Sequence, residues 1–166
     1  MPTHPFFGDY ETTSDDSSCD FNPVMVNGTE VELMLLEIGP QVTPELIDKF
    51  ASFCENLETH IKTVRAIIRE AHVDLVVPFV DDLVESNPGM DILSELFPDE
   101  KNLVSVAQLT PKMVARATAV TACMANTDPE DPDVTVDLTF KADSIDYLFA
   151  NRFGFDGMYL ETDVES

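Results

Sequence analysis

The sequence predicts an α+β fold, in which an antiparallel sheet of about five to six strands carries one long helix and two shorter helices on one face. Apolar residues recur every three or four positions between residues 46 and 71, and alternating apolar segments precede and follow that stretch. Hydrophobic residues make up 44% of the 166 positions. These features are typical of one globular domain, so we assign residues 1–166 to a single domain. Whether the acidic residues 1–22 are ordered is left open.

An aromatic anchor and a β-hairpin are the first predicted elements. We expect Phe6-Phe7-Gly8 to pack into the rim of the sheet rather than to form an exposed docking motif. The apolar segments Val24–Val26 and Val31–Ile38 flank Asn27-Gly28. This dipeptide favours the positive φ angles that a two-residue hairpin turn requires, so the two segments should pair as strands.

A long helix is predicted over Pro44–Ala71. Thr43 is a suitable N-cap and Pro44 suits the first helical position. One apolar stripe then continues through Leu46, Phe50, Phe53, Leu57, Ile61, Val64, Ile68 and Ala71. Such a stripe is typical of a helix that packs against a sheet.

The remaining elements are shorter. Two helices are predicted over Leu75–Glu85 and Met90–Leu96, with Pro78 tolerable only in a first helical turn, and Thr110-Pro111 should open one more helical turn. Alternating or apolar segments predict four further strands, over Thr118–Met124, Asp133–Phe140, Tyr147–Phe153 and Met158–Val164. Residues 154–157 should form the turn between the last two strands.

No motif for catalysis or cofactor binding is present. The three cysteines (Cys19, Cys54, Cys123) form no CxxC pair and have no metal-ligand spacing with the three histidines. The sequence also lacks GxSxG, GxGxxG, GxxxxGK[ST] and HExxH. We therefore predict reduced thiols, no cofactor, no bound metal and no enzymatic activity. Arg152 should pair with an acid across the sheet or stack on an aromatic ring.

Charge is the most unusual property of the sequence. There are 32 acidic residues against 9 lysines and arginines, which gives a formal net charge of −23. The charge is concentrated before residue 43, between residues 73 and 109, and after residue 126, whereas residues 43–72 are almost neutral. A uniformly acidic surface, as in adaptation to high salt, would not show this unevenness. Phosphates are repelled by such a chain, so nucleic acids and anionic membranes are excluded as partners.

A basic protein is therefore the predicted partner, and two acidic segments are the predicted contact sites. One is the pair of short helices with Asp81, Asp82, Glu85, Asp91 and Glu95; the other is the segment with Asp128, Glu130, Asp131 and Asp133. The second segment lacks the glycine and closing glutamate of a calcium loop, so we interpret it as a solvated connection. The N-terminus has no signal-peptide pattern and no apolar run is long enough to span a bilayer, which predicts a soluble cytoplasmic protein.

Several short motifs resemble a family of small bacterial proteins of uncharacterised domain type. They are Phe6-Phe7-Gly8, the Val24–Ile38 hairpin before the Pro44–Ala71 helix, Asp146-Tyr147-Leu148, Arg152-Phe153, Asp156-Gly157 and the terminal Glu165-Ser166. Members are often encoded beside polymorphic or secretion-delivered toxins as immunity proteins. The sequence departs from the family in having no tryptophan and in its acidic stretches Asp9–Asp20 and 128–133.

The resemblance implies a non-enzymatic protein that neutralises a cognate toxin by binding it. Toxins that process nucleic acids are often basic, which agrees with the acidic composition. Two alternatives stay open: a metal-dependent enzyme built from scattered carboxylates, and a DNA-mimic regulator whose carboxylates imitate backbone phosphates.

Overall fold

The computed structural model describes residues 1–12, 18–36, 43–113, 120–126, 135–141 and 148–165. The fold is α+β, as predicted. Its strands are β1 (Thr3–His4), β2 (Gly8–Asp9), β3 (Glu11–Thr12), β4 (Cys19–Val26), β5 (Thr29–Leu36), β6 (Val120–Asn126), β7 (Thr135–Lys141), β8 (Leu148–Gly154) and β9 (Tyr159–Glu165). Its helices are α1 (Pro44–Cys54), α2 (Leu57–Glu70), α3 (Val77–Ser86) and α4 (Ile92–Leu96), with a π-helix at His72–Val76 and a 3₁₀-helix at Val106–Gln108.

The sheet differs from the prediction in size and in strand direction. Strands β3 to β9 form a seven-stranded sheet in chain order, and β1 and β2 form a separate two-stranded ribbon. All neighbours in the large sheet are antiparallel except β5 and β6, which are parallel. The prediction of an antiparallel sheet of about five to six strands was therefore wrong. The described helices all lie between β5 and β6 in the chain. A connection of this length can return the chain to the other end of the sheet, so that β6 runs parallel to β5.

The predicted hairpin and aromatic anchor are confirmed. Strands β4 and β5 pair around a turn in which Asn27 has φ 50° and Gly28 has φ 82°. Phe7 is buried, and its ring stacks on that of Phe21 with centroids 4.0 Å apart. The chain start is thus fixed to the core, and the first twelve residues are part of the fold.

The predicted long helix is broken into α1 and α2, so the single-helix prediction was wrong. Asn56 lies at the break: its side-chain amide donates to the Ser52 carbonyl at 3.1 Å, and its backbone N–H donates to the Phe53 carbonyl at 3.0 Å. Asparagine commonly competes with helical hydrogen bonding in this way. The apolar stripe continues on both sides of the break, because Phe53 and Leu57 are both buried.

The shorter helices and the last four strands lie close to their predicted positions. Pro78 falls in the first turn of α3, as expected, and Thr110 Oγ1 accepts the Met113 N–H at the start of a helical turn. The bounds of β6 to β9 differ from the predicted ones by one or two residues where the structure describes them. The turn between β8 and β9 closes with a hydrogen bond from Gly157 N–H to the Gly154 carbonyl at 2.9 Å.

The larger hydrophobic cluster of the described residues lies between the helices and the inner face of the sheet. Strand β5 shows the pattern, since Val31, Leu33 and Leu35 are buried and Glu30 and Glu32 are exposed. The helical side of the core includes Ile47, Phe50, Phe53, Leu57, Ile61, Val64, Ile68 and Val80. Across the part of the chain described, no helix is both long enough and apolar enough to traverse a lipid bilayer.

Candidate functional site

Three of the predicted contact residues form one patch on α3. Asp81, Asp82 and Glu85 are all exposed, whereas Val80 and Leu83 on the other side of the helix are buried. Glu85 follows Asp81 by four residues and Asp82 by three, and residues so spaced are neighbours on a helix surface. We call Asp81, Asp82 and Glu85 the α3 patch.

The two predicted residues near α4 have different roles. Asp91 is the N-cap of α4: its Oδ1 accepts the Ser94 N–H at 3.2 Å and its Oδ2 accepts the Ser94 hydroxyl at 2.8 Å. Asp91 therefore stabilises the start of this helix. Glu95 is exposed in the first turn of α4. The helix packs on α3 through Leu83 and Ile92.

The second predicted contact segment lies outside the described residues. Asp128, Glu130, Asp131 and Asp133 all fall within 127–134, so the structure neither joins them to the α3 patch nor separates them from it. They stay a prediction.

An ion-pair ladder crosses the last three strands on the outer face of the sheet, which faces away from the helices. Arg152 Nε lies 3.1 Å from Asp137 Oδ1, and its Nη1 lies 2.7 Å from Glu161 Oε1. The hydrogen bond to Asp137 is the main cause that raises the pKa of the Arg152 guanidinium. The predicted pairing of Arg152 with an acid across the sheet is confirmed.

A second set of outward side chains lies on the other half of the same face, and the sequence reasoning missed it as a set. We call it the β3–β5 outer face: Glu11, Asp20, Met25, Glu30, Glu32 and Met34. The four carboxylates and Met25 are exposed, and Met34 is half-buried. The alternation of acids with buried Cys19, Phe21, Val31 and Leu33 indicates that they face outward. These residues lie close together because their strands pair, and a local sequence pattern does not predict which strands pair.

His4 lines a cavity of about 500 Å³ together with Pro5, Phe6, Asp48, Ala51, Ser52 and Glu55. Its Nδ1 accepts the backbone N–H of Phe6 at 3.1 Å and that of Phe7 at 3.4 Å. Its Nε2 therefore carries the proton and donates it to Asp48 Oδ1 at 3.0 Å.

A serine-histidine-aspartate set thus lines this cavity without the geometry of a catalytic triad. Both ring nitrogens of His4 are occupied, so neither can accept a proton from Ser52. The Ser52 hydroxyl instead donates to the Asp48 backbone carbonyl at 3.0 Å. The His4–Asp48 bond joins the N-terminal segment to α1.

The thiols and the second described imidazole are unsuited to nucleophilic or acid–base chemistry. Cys19, Cys54 and Cys123 are all buried, and none of the three forms a disulfide. Burial and the neighbouring Cys54 thiol raise the pKa of Cys123, which disfavours the reactive thiolate. His60 is buried with its ring stacked on Phe53 at 4.2 Å, and burial lowers its pKa below the usual histidine value.

Among the residues that the structure describes, no group of three or more histidines, cysteines, aspartates and glutamates is arranged to hold a metal ion. No protein-family model matches the chain, and no curated protein or solved structure shows significant similarity to it. The likeness to immunity-type proteins rests on the motifs in the sequence alone.

Proposed function

We propose that the chain is a non-enzymatic, acidic binding protein of the immunity type, which acts in the bacterial cytoplasm and neutralises a basic protein toxin by direct contact. The observation that carries this proposal is the charge balance. With 32 acids against 9 lysines and arginines, at least 23 carboxylates lack a basic partner of their own within the chain. Self-repulsion on this scale destabilises a folded chain, and a basic partner would relieve it.

Several of the basic residues are already engaged within the fold. Lys49 lies 3.2 Å from Glu45 and Lys62 lies 2.6 Å from Glu58, each one helical turn away, while Arg152 bridges two acids. Pairing of these cations within the fold leaves most of the carboxylates available to attract a basic protein. Electrostatic attraction of this kind mainly accelerates association and selects the partner.

The two alternative functions are a metal-dependent enzyme and a DNA-mimic regulator. Nothing in the described residues favours either of them over binding of a protein, so we propose neither. The candidate nucleophiles are buried or hydrogen-bonded to the backbone, as described for the cysteines and Ser52. A binding protein needs no reactive group, and its specificity comes from the shape and charge of its surface.

Growth rescue in a bacterial host tests the proposal. Each open reading frame that neighbours the gene of this chain would be expressed alone, and those that inhibit growth would be expressed again together with this chain. We expect one neighbour to encode a toxic, basic protein whose effect this chain abolishes. A matched control is an unrelated protein of similar size and net charge. Absence of any toxic neighbour, or equal rescue by the control, would contradict the proposal.

A further inference from the structure

The two faces of the seven-stranded sheet differ in chemistry, and none of the described helices packs on the outer face. The core contains the inward residues of β4 to β8 together with the buried residues of α1 and α2. Helix α3 also lies on this inner side, because Phe79 packs against Phe149 of β8 with ring centroids 4.5 Å apart. Within the described ranges, the helices thus occupy one side of the sheet.

The pairing register aligns outward residues of six strands in a single row that also crosses β6. The row begins at Glu11, continues through Asp20 and Met34, crosses position 124, and ends at Asp137, Arg152 and Glu161. Since neighbouring strands are about 4.8 Å apart, a row across seven strands is about 29 Å long. Strands β4 and β5 are each eight residues long, about 26 Å, so the part of the face that they form is long enough for an extended protein segment.

A basic residue is present at one end of this row only. Arg152 contacts both Asp137 and Glu161, so one cation lies between two acids there. At the opposite end, Glu11 and Asp20 are direct cross-strand partners, and two like charges in this arrangement destabilise a sheet.

Among the described residues, the four carboxylates of the β3–β5 outer face have no basic partner. None of the ion pairs found within the described ranges includes Glu11, Asp20, Glu30 or Glu32. On the described part of the outer face, acids without an ion pair are therefore concentrated on β3 to β5, where a positively charged partner would be attracted.

Each methionine of this face lies directly opposite an acid. Met25 pairs with Glu30 and Met34 pairs with Asp20 across the β4–β5 hairpin. Met25 is 65% exposed, although it lies within a strand. A lysine or arginine side chain has an apolar stem and a charged head, so its stem can pack on a flexible methionine while its head contacts the adjacent carboxylate.

We infer that the β3–β5 outer face is the contact surface for a protein segment that carries lysine or arginine next to apolar residues. The inference rests on the proposed function and specifies the face that the basic partner occupies. It differs from the sequence prediction, which placed the contact on the α3 patch or on residues 128–133. Because α3 packs on the inner side of the sheet, the α3 patch serves as a control on a different surface of the molecule.

Two triple variants with the same change in charge test the inference. One is Asp20→Asn, Glu30→Gln, Glu32→Gln in the β3–β5 outer face, and the control is Asp81→Asn, Asp82→Asn, Glu85→Gln in the α3 patch. The probe is a fluorescent eight-residue peptide that alternates lysine and leucine, and its affinity for the intact chain would be measured by anisotropy at low salt. Circular dichroism would first confirm that both variants are folded.

We expect the sheet variant to weaken peptide binding about tenfold and the α3 variant to weaken it less than about twofold. Replacement of leucine by serine in the peptide should also weaken binding to the intact chain. In the single variant Met25→Gln, replacing leucine by serine in the peptide should reduce the affinity less than it does for the intact chain. Equal losses in the two triple variants, or a larger loss in the α3 variant, would overturn the inference.

Failure of the inference is distinguishable from failure of the proposed function. If the chain rescues growth from a toxin and the sheet variant rescues as well as the unaltered chain, the contact surface is wrong and the function stands. If the peptide results are as expected but no neighbouring toxin is neutralised, the surface stands and the immunity function is wrong.

Discussion

Replacement of Gly157 by alanine would place a methyl group against the buried imidazole ring of His60. Gly157 lies in the turn between β8 and β9 with φ +82°, and a Cβ at this position would lie 2.9 Å from His60 Cε1. His60 is only 7% exposed, and its ring is held between Phe53 and Phe153 at centroid distances of 4.2 and 5.1 Å. The turn and the core therefore meet at this glycine.

The size of the effect follows from two terms. A side chain at positive φ costs about 1–2 kcal/mol, and an extra methyl group in a packed site costs about 1–3 kcal/mol. Gly157→Ala should therefore lower the free energy of unfolding by about 2–5 kcal/mol. Gly28 is a matched control, because it has the same φ of +82° and a Cβ there would meet nothing within 4 Å. Gly28→Ala should show only the cost of a side chain at positive φ.

Urea unfolding followed by circular dichroism measures both variants. Gly157→Ala should be less stable than Gly28→Ala by about 1–3 kcal/mol. On a His60→Ala background, which removes the ring, this excess should disappear. Equal destabilisation by the two glycine variants, or an excess that persists without the imidazole, would refute the contact between Gly157 and His60.

Three further predictions concern the ion pairs, the buried histidine and the thiols. Arg152→Met should lower the free energy of unfolding by about 1 kcal/mol, since it leaves the half-buried Asp137 without a cation. Lys62→Met removes an exposed ion pair and should lower it by less than about 0.5 kcal/mol. Equal losses for the two variants in urea unfolding would contradict this difference. Burial lowers the pKa of His60, so below about pH 6.5 the unfolded chain binds a proton more readily than the folded chain. Stability should therefore fall as pH falls through that value, and a His60→Gln variant with the same pH dependence would disprove it. The three buried cysteines should not react with a thiol reagent in the folded chain and should all react in denaturant; rapid labelling of the native protein would contradict their burial.

Features that depend on neighbouring residues could be predicted from the sequence. The Asn27-Gly28 turn requires positive φ at both positions, and the structure has φ values of 50° and 82° there. The cap at Thr43 is equally local, and its side chain accepts the Leu46 N–H at 3.3 Å. Local chemistry was sufficient to define both elements.

Features that depend on distant pairing could not be predicted. The parallel contact of β5 with β6 joins residues about ninety positions apart, such as Glu32 and Ala122, and no local pattern specifies it. The helix break after Cys54 could not be predicted from the sequence, because the apolar stripe continues across it. The alignment of Asp20 with Met34 and Glu11 likewise needs the register of three strands.

The candidate site illustrates the same limit. The exposure of Asp81, Asp82 and Glu85 follows from helical periodicity, so their placement on the surface was predictable. The capping role of Asp91 has a local signal, an acid just before a helical segment with Ser94 three residues later, which the prediction of a contact site overlooked. The hydrogen bond from His4 to Asp48 joins residues 44 positions apart and had no such signal.

The affinity of this chain for the basic toxin that we propose as its partner, measured at about 0.05 M and about 0.5 M sodium chloride, tests the electrostatic basis of binding most directly. Screening at the higher salt concentration should weaken a contact between uncompensated carboxylates and a basic surface by at least about tenfold, mainly through slower association. The Asp20→Asn, Glu30→Gln, Glu32→Gln variant should show a smaller salt dependence than the unaltered chain. An affinity that stays constant between the two salt concentrations would contradict charge-based recognition of a basic partner.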